Sequence, residues 1–230
     1  MIDKTSILHF ARNIIDKNPG NVRRAESLVQ HLHLSYDIAE TVIKNAVRHY
    51  PNIPLNLREI SAAAGLHDIG RPFQADQTFH ELRGARYVEE HGVEEGIAQN
   101  DNDNYRLAQM FRPHAFVYEF WHDSACTEKR KEFGPIDPIL LLPRTWQEAI
   151  VTYADLANKS EERISVQERI SGLVKKYTQD PTLAGSGPMG EVTIRAVIAA
   201  RDRVFSLAQR VEALEAGTLS DREIDRYGFL

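Results

Sequence analysis

The sequence predicts an all-α protein, on three observations. Apolar residues recur at steps of three and four, and no run shows sustained period-two alternation with the β-branched and aromatic enrichment of strands. The periodic stretches are also punctuated by Gly, Pro and capping residues, where helices start and stop.

Residues 5–17 read as a first helix that ends at Asn18-Pro19-Gly20. A second begins near Asn21 and continues toward His49, beyond which Pro51 and Pro54 forbid further helix, because proline lacks the amide donor and clashes with the preceding turn. A third spans about 57–69 and stops at Gly70-Arg71-Pro72. Residues 79–90 form a fourth, ended by His91-Gly92, and 105–111 a fifth, ended by Arg112-Pro113. Thr145-Trp146-Gln147-Glu148 has the form of a capping box, in which threonine and glutamate satisfy each other's orphan amides, and it opens a helix through Asn158.

Beyond Ser160 the texture changes. Residues 161–177 form a charged amphipathic helix, and 180–190 a loop rich in Gly and Pro that is expected to be mobile. The last long helix carries Val197, Ala200, Val204, Leu207, Val211 and Leu214 on one stripe, suited to packing along another helix of the same domain or to a homodimer seam. The expected organisation is a helical unit over 1–160 with a C-terminal helical extension, 161–230, packed on it.

Composition narrows the function. The chain is 42% apolar and 27% charged, its aliphatic runs are short, as at Ile139 to Leu142, and no segment is expected to span a bilayer. The N-terminus lacks the basic-then-apolar order of a secretory signal, and a lone cysteine, Cys126, allows no intramolecular disulfide, so a reducing cytoplasm is the expected location. A net charge of -5 argues against long nucleic acid as substrate. A small anion remains accessible where a metal or an isolated arginine supplies local positive charge.

The run Ala62-Ala63-Ala64-Gly65-Leu66-His67-Asp68-Ile69-Gly70-Arg71 delivers an imidazole and a carboxylate within a stretch of small and apolar residues. Burying such groups unpartnered costs several kcal/mol, and a metal ion would satisfy both. The other His-Asp pair, His122-Asp123, precedes a charged stretch and requires no such partner. In the second helix His31 shares a face with Leu28, Ser35, Ile38 and Val42, so it points inward, whereas His33 aligns with Asp37, Glu40 and Lys44. Alone, an inward histidine is better explained as a core residue hydrogen-bonded to backbone; a neighbouring His67-Asp68 reverses this in favour of a ligand.

His80 is followed one turn later by Gly84-Ala85, which leaves room either for close helix packing or for a bound group. His114 follows Arg112-Pro113 at a helix end, where a half-exposed loop position is the plain alternative. Asp155 lies with Val151 and Ala154 on the apolar face of the capped helix, where a metal would satisfy it. His9, His33, His49, His91 and His122 are excluded.

Taken in order, His31, His67-Asp68, His80, His114 and Asp155 resemble the HD-domain metal-dependent phosphohydrolase superfamily, over about residues 21–160. Ala63-Ala64-Gly65-Leu66-His67-Asp68-Ile69-Gly70-Arg71 looks like its central motif, His80 with Gly84-Ala85 like the additional histidine motif of its two-metal members, and Ala154-Asp155 like its closing aspartate. Two departures stand out. Arg71 replaces the lysine often found after the central motif, and no Gly-Tyr-Pro element follows His114, so cyclic di-GMP hydrolysis is not supported.

The resemblance implies an all-helical bundle with additional C-terminal helices. It implies one metal held by His31, His67, Asp68 and Asp155, with Asp68 bridging to a second held by His80 and His114. Mixed imidazole and carboxylate donors suit Mn, Fe, Co, Ni or Zn better than calcium. The implied reaction is attack of a metal-bound hydroxide on a phosphomonoester or phosphodiester of a small molecule, a nucleotide foremost. Arg71 is then a candidate phosphate clamp, against a surface arginine at a helix end, and Lys159 a weaker candidate against a solvated lysine. A di-iron oxygenase and a non-catalytic nucleotide-binding regulator are the rival readings.

Overall fold

The computed structural model describes residues 3–18, 25–75, 77–159, 162–179 and 188–225, and over these the chain is all-α. The helices are α1 (Lys4–Lys17), α2 (Ala25–His49), α3 (Leu57–Leu66), α4 (His80–His91), α5 (Asp101–Phe111), α6 (Val117–His122), α7 (Thr127–Arg130), α8 (Trp146–Leu156), α9 (Val166–Gln179), α10 (Pro188–Ala216) and α11 (Asp221–Asp225). The only strands among the described residues, β1 (Asn158–Lys159) and β2 (Glu162–Arg163), form a small antiparallel hairpin.

At the centre lies α3, with every residue from Ile60 to Leu66 buried, which is why this segment is a run of alanines and aliphatics with no polar face. It packs against α2, α8, α5 and α1. Local chemistry sets most helix starts: Asp3, Asn56, Asn100 and Thr145 each accept a hydrogen bond from an amide three residues on. The Thr145–Glu148 capping box is formed in both directions.

Several boundaries differ from expectation. Asn100 caps α5, which starts at Asp101, four residues before Tyr105, a start hidden by the polar run Asp101-Asn102-Asp103-Asn104. Helix α3 stops at Leu66, not Ile69, because the chain turns at His67 to lay Gly70 against α4. Helix α8 ends at Leu156; Asn158, expected to continue it, lies in β1, and Glu162 and Arg163, expected in the next helix, form β2, with α9 starting at Val166. Pro188 to Gly190 open α10 and so belong to a helix; the rest of the expected 180–190 loop, and the expected breaks at Pro19-Gly20 and Asn21, lie outside the described residues.

The stripe of α10 is used within the chain. Val197, Ala200, Val204, Leu207, Val211 and Leu214 are all buried, and α10 lies along α9, α2, α6 and α8. Polar ties reinforce this: Tyr50 Oη donates to the Leu219 carbonyl (3.0 Å), Trp146 Nε1 donates to the Ile224 carbonyl (3.1 Å), and Arg163 pairs with Glu215. The stripe is therefore not available as a dimer seam. No described helix is long and apolar enough to cross a membrane.

Candidate metal centre

Six of the predicted side chains meet in one place, delivered by five segments of the chain. His31 comes from the N-terminal third of α2, His67 from the residue that closes α3, and Asp68 from the turn after it. His80 is the first residue of α4, His114 follows α5, and Asp155 sits in the last turn of α8. His67, Asp68 and His114 are buried, at 0%, 2% and 1% exposure. His31 is partly exposed, so the cluster reaches solvent on its side.

The backbone is built to bring these groups together. A Cβ at Gly70 would lie 1.8 Å from the His80 carbonyl oxygen, and one at Gly84 would lie 3.0 Å from the Gly70 amide nitrogen. The turn carrying Asp68 thus rests directly on the first turns of α4, and Gly84 serves close packing, not space for a bound group. Phe79 (φ 60°) and Ala115 (φ 45°) are the non-glycine residues of positive φ among those described, and each adjoins a cluster histidine. Such conformations cost on the order of 1–3 kcal/mol and persist where surrounding structure enforces them. For Phe79 that structure is its packing against Trp121 and Phe133.

Three imidazoles are aimed by the same device. Nδ1 of His67 donates to the Ala64 carbonyl (2.7 Å), Nδ1 of His80 to the Gln77 carbonyl (2.7 Å), and Nδ1 of His114 to the Phe111 carbonyl (2.6 Å). A carbonyl only accepts, so each Nδ1 carries a proton and each ring turns its Nε2 inward. Nδ1 bonded to backbone with Nε2 turned toward the centre is the arrangement that orients metal-binding histidines.

Asp68 stands between two groups. Its Oδ2 faces Nε2 of His31 (3.6 Å) and of His67 (3.7 Å), and Oδ1 of Asp155 completes that side at 3.2 Å from His31 and 3.4 Å from His67. Its Oδ1 faces Nε2 of His80 (2.7 Å) and of His114 (3.6 Å). Donors bound to one transition metal at about 2.1 Å stand roughly 3.0–3.4 Å apart, close to these separations. Lone pairs directed at one another repel unless protons or cations lie between them. The donor set therefore fits a divalent ion, and buried His, Asp and Glu groups here can hold one.

The charges are strongly coupled. Burial alone would raise the Asp68 and Asp155 carboxyls, yet both lie well below the usual carboxylate range: Asp68 is held by Arg71, His67 and His80, and Asp155 by hydrogen bonds from His31 and His67. Burial lowers His31 despite Asp155. For His114 burial is outweighed by its hydrogen bond to Asp68, and its pKa is raised to about 9.

Arg71 donates from Nε to Asp68 Oδ2 (2.5 Å), and its side chain is 35% exposed, so the guanidinium sits at the open edge of the cluster. Lys159 is not brought to the cluster: it turns outward from β1, opposite buried Asn158, and pairs with Glu168 at 3.6 Å. His9, His33, His49 and His122 are exposed and His91 is half-buried, none of them in the cluster.

Two neighbours were not singled out in the sequence. Asn158 Nδ2 donates to the His31 carbonyl (2.7 Å) and to Ser35 Oγ (3.0 Å), fixing α2 against the end of α8. Glu81 is 1% exposed and shares a candidate metal group with His80 and His114. In sequence, an acid in the first turn of a helix is already explained by the helix dipole, which hid it. No protein-family model, no curated protein and no solved structure matches the chain, and the centre is read from its own geometry.

Proposed function

We propose that this chain is a metal-dependent phosphohydrolase of the HD-domain type, acting on a phosphate ester of a small molecule, with nucleotides the leading class. The observation that carries the reading is the division of Asp68, one oxygen toward His31 and His67 and the other toward His80 and His114. A carboxylate placed in this way is suited to bridge two cations. His31, His67, Asp68 and Asp155 would hold one, and Asp68, His80 and His114 the other. When bound, such ions supply Lewis acidity toward phosphate oxygens and lower the pKa of a coordinated water.

The side chains do the rest. Asp68 and Asp155, ionised well below neutral pH, keep the site ready for cations. The backbone-bonded imidazoles hold their Nε2 atoms on the centre, which is the preorganisation a reactive site requires. Arg71, tied by Nε to Asp68, presents the rest of its planar fork at the open side, where it can meet phosphate oxygens. The opening beside His31 and Arg71 is where a small substrate would enter.

Elemental analysis of the purified chain followed by a panel of nucleotides and phosphate esters tests the reading. Bound Mn, Fe, Co, Ni or Zn and phosphate release under strictly anaerobic conditions are the expected results. A requirement for iron and dioxygen would overturn it in favour of oxygenase chemistry. Full metal loading with no turnover on the panel would leave a binding protein.

A further inference from the structure

We propose that Glu81 is a further carboxylate ligand of the His80–His114 half of the centre, so that this half holds its ion with two imidazoles and two carboxylates. The inference rests on the two-cation reading above and adds a residue to it. Glu81 is 1% exposed, and its Oε2 has no hydrogen-bond partner. The basic atom facing that oxygen is His80 Nδ1, 3.5 Å away, and its proton is already donated to the Gln77 carbonyl at 2.7 Å. An ionised carboxylate buried with an unmatched oxygen is costly unless a cation faces it.

One donor atom from each of His80, Glu81 and His114 lies within 4.8 Å of the others, a spacing that modest side-chain rotation turns into a shared coordination shell. Without Glu81 this half offers two imidazoles and one oxygen of a shared carboxylate, whereas with Glu81 it offers four protein donors, as the His31 half does, and an octahedral ion would still keep positions for water and substrate. Charge points the same way. Asp68, Asp155 and Glu81 are three buried carboxylates, and Arg71 is the guanidinium that acts on Asp68. Two divalent cations suit that excess of negative charge better than one.

The test is calorimetric titration of the metal-free chain with Mn2+. The wild type is expected to take up two ions, whereas Glu81→Gln, which keeps size and removes charge, should bind one with unchanged affinity and the other ~10-fold or more weaker. Equal weakening of both ions, or a titration like the wild type's, overturns the role of Glu81. One ion per wild-type chain overturns it too but leaves a one-metal hydrolase standing, and no uptake at all overturns both readings. Circular dichroism reports whether Glu81→Gln folds. If it does not, Glu81→Asp, one methylene shorter, is titrated instead: the same selective loss is expected, and wild-type binding overturns the inference.

Discussion

Replacing Asp68 by asparagine keeps its shape and removes its charge. Because its two oxygens serve both halves of the centre, Asp68→Asn is expected to abolish uptake of both ions, and His67→Ala to remove the ion on the His31 side. His122→Ala, at an exposed position beside Tyr118, should change neither, with metal per chain as the readout. His114 gives a dependence on pH. Its raised pKa means that the proton on His114 stabilises the metal-free fold fully below the ordinary histidine value of 6.5, and that this contribution is lost as pH rises through about 9. Denaturant titrations of metal-free protein should therefore show stability on the order of a few kcal/mol falling across that window, and His114→Gln should flatten the slope. Uptake of an ion at neutral pH should release the same proton, visible as a dependence of binding heat on buffer. The inward residues His31 and Asp155 were legible from helical face alone, since their neighbours at three- and four-residue steps are apolar. Glu81 and Asn158 were not, because an acid at a helix start and an amide at a helix end each have an ordinary local explanation.

Helix boundaries follow from caps, and caps are cheap to test. Thr145→Ala removes one side of the capping box and should cost about 1 kcal/mol, read from urea denaturation. Gly70 is a harsher site: a methyl group there would meet the His80 carbonyl at 1.8 Å, so Gly70→Ala should cost about 3 kcal/mol, the upper end of overpacking, and disturb Asp68 and His80 together. The element order was legible because Pro and Gly punctuate it and because the apolar stripes are long. The failures are local. The start of α5 hides in a polar run, and the β1–β2 hairpin consists of residues whose side chains read equally well as helix. The early end of α3 is a tertiary effect, set by the approach of two backbones that no local pattern reveals.

Across the whole molecule, the long α10 lies against α2, α6, α8 and α9, and the stripe that might have joined two chains instead completes one core. What the sequence left open, whether that stripe faces inward or toward a partner, was a question of distance contacts and not of pattern. The candidate ligands are drawn from α2, the end of α3, α4, the segment after α5, and α8, spanning residues 31 to 155. In a chain with a single cysteine, no disulfide can join these segments. An ion at Asp68 would act as a reversible staple, closing loops of the kind whose free ends dominate the entropy of an unfolded chain. Loading with Mn2+ at ~100 times its dissociation constant should raise stability by about 2.7 kcal/mol per ion, seen as a higher melting temperature, while a chelator returns a folded but looser protein. The availability of metal would thus set the lifetime of this protein as well as its readiness to react.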